Sequence, residues 1–93
     1  MDEIELQYRG ERAKQLLKDP LVKEALEACK QQILTAWEAS PARDVEAREW
    51  LWKLYQASMR FEEVFKGFMD SGKIAEEQLK QKQSLKDRIR AVM

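Results

Sequence analysis

The chain has 93 residues, no net charge, 37% charged and 44% hydrophobic residues, one cysteine and no histidine. That length holds one domain with a modest core, and the composition excludes disorder. The balanced charge gives no case for nucleic acid or an acidic membrane. No apolar run approaches the ~18 residues of a membrane span. The start, MDEIELQYRG, lacks a signal peptide's basic and apolar regions, and a lone cysteine fits a reducing compartment. The expected location is the cytoplasm where the chain is made.

Residues 3 to 18 read as a helix with a thin apolar line at Leu6, Gly10, Ala13 and Leu17. Gly10 is expected to be a weak point, costing ~1 kcal/mol against alanine; the alternative is a close approach of another backbone. Asp19-Pro20 stops this helix and starts the next, with Asp19 as N-cap and Pro20 in the first turn. The second helix runs to about Ala39, with Val22, Ala25, Leu26, Cys29, Ile33, Ala36 and Trp37 on one face and Glu24, Glu27, Gln31 and Glu38 on the other. Cys29 is expected to be a small core residue.

Ser40-Pro41-Ala42-Arg43-Asp44 forms the main turn, and Asp44 caps the next helix. Val45 to Asp70 is the spine of the fold. Ala47, Leu51, Leu54, Ser58, Phe61, Phe65 and Phe68 recur at steps of four and three and share one face, with Leu54 and Phe61 in the core. Trp50 widens that face, while Trp52, Tyr55 and Met59 form a second strip beside it. These four residues are the candidate interface of a homo-oligomer, since large aromatics and methionine are enriched at interface cores. The alternative is that the first or last helix folds over the strip. Gly72 is expected to close the spine helix in a left-handed conformation.

Residues 73 to 93 are helical, with six basic residues against three acidic ones. They read either as a solvated terminal helix or as an arm that orders on a partner. Lys80, Lys82, Lys86, Arg88 and Arg90, with Arg43, Asp44 and Arg48 at the turn, are the candidate partner-binding surface. For the turn residues the plainer role is capping and surface pairing.

The predicted fold is all-α: an antiparallel helical hairpin with an additional N-terminal helix and a C-terminal helical arm, in one domain with a core at 1–72 and the arm at 73–93. Without histidine there is no Ser-His or Cys-His pair and no usual zinc site, and one cysteine builds no metal cluster. Three scattered glycines make no phosphate loop. The expectation is a protein with no catalytic residues, cofactor or metal.

Three pieces carry a family resemblance. They are RGERAKQLL at Arg9 to Leu17 leading into Asp19-Pro20-Leu21; Ala36-Trp37 followed by PARDVEARE at Pro41 to Glu49; and SGKIAEEQL at Ser71 to Leu79. Their order and spacing are similar to a group of small, mostly uncharacterised proteins of tailed bacteriophages and prophages, encoded among the head and packaging genes. The resemblance covers about residues 9 to 79 and brings no catalytic residues. It implies a small accessory or minor structural protein acting through protein–protein interactions in virion assembly, with phage head or packaging components as partners. The alternative is a small regulatory protein that binds nucleic acid or a host protein, with nucleic acid the less expected of the two.

Overall fold

The computed structural model describes residues 1–93 and contains three helices and no strand: α1 Glu3–Lys18, α2 Pro20–Ala39 and α3 Val45–Val92. The all-α class read from periodicity is the class observed. The helix starts follow local chemistry. The Asp2 carboxylate accepts the Glu5 N–H at 2.8 Å. Asp19, in extended backbone, accepts from Leu21 and Val22 at 2.8 and 3.3 Å, with Pro20 behind it where no N–H is needed. Asp44 accepts from Ala47 at 3.2 Å. Asp19→Ala should therefore cost about 1 kcal/mol, with Asp19→Asn retaining most of the stability. Urea melts at a fixed protein concentration check this, and equal losses for both variants would remove the cap from the account.

The chain divides into two compact units, one of Met1–Gln15 with Phe65–Met93 and one of Leu16–Val64. In the first unit α1 runs antiparallel to the later part of α3. Glu3 meets Lys82, and Arg9 lies over Phe68. The two helices touch backbone to backbone at Gly10 and Gly72, where a Cβ built on either glycine falls 2.9 Å from the other's Cα. Ala13 and Ala75, one turn along each helix, are the buried hydrophobic residues of the whole chain. Arg9 stacks 4.0 Å above the Phe68 ring, and its buried Nε, which makes no hydrogen bond, is held against that ring face.

This contact corrects two expectations. Gly10 is a place of close approach and not a weak point. Gly72 does not end a helix: no residue has positive φ, and α3 runs unbroken to Val92. The ~1 kcal/mol that a glycine costs inside a helix is offset by the packing that its missing side chain allows. The boundary placed at residue 72 thus falls inside α3. Ala75 and Leu79 still pack in this unit, and every residue from Lys80 onward is exposed.

In the second unit α2 runs antiparallel to the first part of α3. Lys30 pairs with Glu62 at 3.1 Å, and Arg48 returns to Trp37 and Ser40 at the turn. The half-buried positions are Val22, Leu26, Lys30, Ile33 and Leu34 on α2, and Ala47, Arg48, Leu51, Tyr55, Ser58 and Glu62 on α3. The predicted core stripe is corrected by one residue. Tyr55 takes the place expected for Leu54, and Glu62 that of Phe61. Leu54 is 37% and Phe61 56% exposed. The covered face thus takes in the polar shoulder of α3, where Glu62 pairs with Lys30. On α2 the expected core face likewise splits: Ala25, Cys29, Ala36 and Trp37 are exposed.

Candidate interaction surfaces

Half of the predicted partner-binding charges have partners inside the chain. The Arg48 guanidinium lies 3.9 Å over the Trp37 ring and donates to the Ser40 carbonyl and Oγ, both at 3.2 Å. It binds the C-terminal end of α2, where orphan carbonyls attract a cation. Asp44 caps α3. Lys82 donates to both Glu3 oxygens at 2.6 Å, and Lys80 pairs with Glu76 one turn back. Arg43, Lys86, Arg88 and Arg90 stand exposed. The eight residues are not gathered into one patch: three belong to the turn region and five to the last third of α3.

The candidate interface also divides. Trp52 and Tyr55 stack with ring centroids 6.4 Å apart, Met59 is 37% exposed beside them, and Tyr55 is half-buried. Trp50 is two residues from Trp52 and so points roughly 160° away round the helix. At 63% exposure it belongs to a different line on α3: Trp50, Leu54, Ala57, Phe61 and Val64. The steps of that line are four, three, four and three, and all five residues are exposed.

α2 carries a matching line. Ala25, Cys29 and Ala36, expected in the core, recur with Gln32 at steps of four, three and four, and each is exposed and uncharged. In both helices the line lies about a quarter turn from the covered face, in the same rotational sense. Because the helices are antiparallel, that places both lines on one side of the α2–α3 pair. Heptad spacing of uncharged residues on a solvent-facing side is the pattern of a coiled-coil seam. In a chain with 37% charged residues, the missing charge at those four α2 positions was the available signal.

No group of three or more metal-binding side chains gathers anywhere in the chain, and no helix is long and apolar enough to cross a membrane. The fold and surfaces define an all-α protein built from antiparallel helix pairs. Comparison with known protein families, with curated proteins and with solved structures finds no match to this chain.

Proposed function

We propose that this chain is a small accessory or minor structural protein that acts through protein–protein contacts in the assembly of a tailed-phage particle, performs no catalysis, and works in the host cell or in the particle itself. One observation carries the interaction role. Eighteen large hydrophobic residues are exposed, among them all three tryptophans. Apolar surface on that scale marks an interaction site in a folded protein. The phage setting rests on the resemblance of residues 9 to 79, and phage head or packaging components are the partners that it suggests.

The test is protein mass spectrometry of purified particles and of their assembly intermediates. Recovery of the chain with either supports the reading. Its absence from both, with recovery instead on nucleic acid or on a host regulator, would replace it by the regulatory alternative. The exposed Lys86, Arg88 and Arg90 would then be the first residues to examine.

A further inference from the structure

We propose that the apolar side of the α2–α3 pair binds the same side of a second copy, closing a four-helix bundle about a two-fold axis parallel to the helices. This rests on the interaction role proposed above and names its first partner.

The exposure of the α3 line argues for a partner: Trp50 is 63%, Phe61 56%, Val64 41% and Leu54 37% exposed, all on one side of the helix. The shape argues for self-pairing. The α3 line is bulky, with Trp50 and Phe61, while the α2 line is made of alanines, Cys29 and one glutamine. A two-fold axis parallel to the helices lays each bulky line over the small line of the other copy, so one contact is made twice. Helices meeting this way are antiparallel neighbours, as in bundles joined by short loops. Charge permits it as well. A symmetric interface sets each patch against its own kind, which would repel if the patch were charged. Neither line holds a charged residue.

The register follows from contacts within the chain. Lys30 lies level with Glu62, and Trp37 with Arg48. Trp50 therefore lies toward the Ala36 end of α2, and Val64 toward the Ala25 end. The axis carries these levels across unchanged, so Trp50 meets the Ala36 end of the second copy's α2. Cys29, exposed in the single chain, is covered in the pair and serves as a built-in probe.

Two measurements test this across the micromolar range. Light scattering should give a mass of twice 11.0 kDa for the wild type. Trp50→Glu and Ala36→Glu should run as monomers with their helical circular dichroism retained, since both positions are exposed. Trp52→Glu, on the other side of α3, should remain a dimer. Labelling of Cys29 in the wild type should slow about tenfold or more from dilute to concentrated protein, because only dissociated copies present the thiol. A monomer at every concentration overturns the proposal. So does an oligomer in which Cys29 reacts equally fast at all concentrations, or one that Trp52→Glu breaks and Ala36→Glu does not. In those cases the wider interaction role still stands or falls separately, on the particle mass spectrometry.

Discussion

Gly72→Ala is expected to destabilise the protein by about 1–3 kcal/mol, while Gly67→Ala is expected to stabilise it by up to about 1 kcal/mol. Both glycines lie inside α3, so helix propensity favours alanine at each. Only the surroundings differ. A Cβ at Gly67 meets nothing within 4 Å. A Cβ at Gly72 falls 2.9 Å from the Gly10 Cα and 3.1 Å from the Leu6 carbonyl oxygen, and both of those atoms are backbone. No rotamer change relieves such a clash, so α1 has to move away from α3 and loses the packing of Ala13 and Ala75. Gly10→Ala should behave like Gly72→Ala, since its Cβ would fall 2.9 Å from the Phe68 carbonyl oxygen. Thermal and urea melts at one protein concentration give the sign directly. Equal gains at residues 67 and 72 would mean that the two helices are not in backbone contact.

Arg48→Ala should cost about 1.5–3 kcal/mol, the range for hydrogen bonds made by a charged group. The side chain both holds the Ser40 carbonyl and covers the Trp37 ring. Arg48→Lys should recover less than half of the loss, because an ammonium lacks the planar fork that stacks and donates at once. Chemical denaturation followed by circular dichroism measures the loss, and tryptophan fluorescence should show Trp37 more solvated in both variants. Full rescue by lysine would reduce the site to a point charge near a helix end.

Local chemistry was legible in the sequence. Asp19 before Pro20, and Asp44 after Pro41, mark helix starts by rules that need only neighbouring residues, and the structure has its breaks there. Gly10 and Gly72 were not legible one at a time, since a helical glycine fits a stop, a weak point or a close approach equally well. The resolving signal was the pair of patterns Gly10-Ala13 and Gly72-Ala75, small residues three apart on two helices that lie far apart in sequence. The core stripe was legible only to within one residue. Periodicity gives the axis of an apolar face but not the point on its rim where a neighbour sits. Here the covered face takes in Glu62, paired with Lys30, and leaves Leu54 and Phe61 outside. Cys29 was misplaced for the same reason: it lies on the apolar rim of α2 and not at its centre.

Ala13 and Ala75 are the apolar side chains that this chain buries fully. So small a core leaves a modest folding free energy, to which any partner that covers the rest adds. Unfolded chains are the form that cellular proteases remove. A copy bound to a partner is therefore expected to outlast an unbound one.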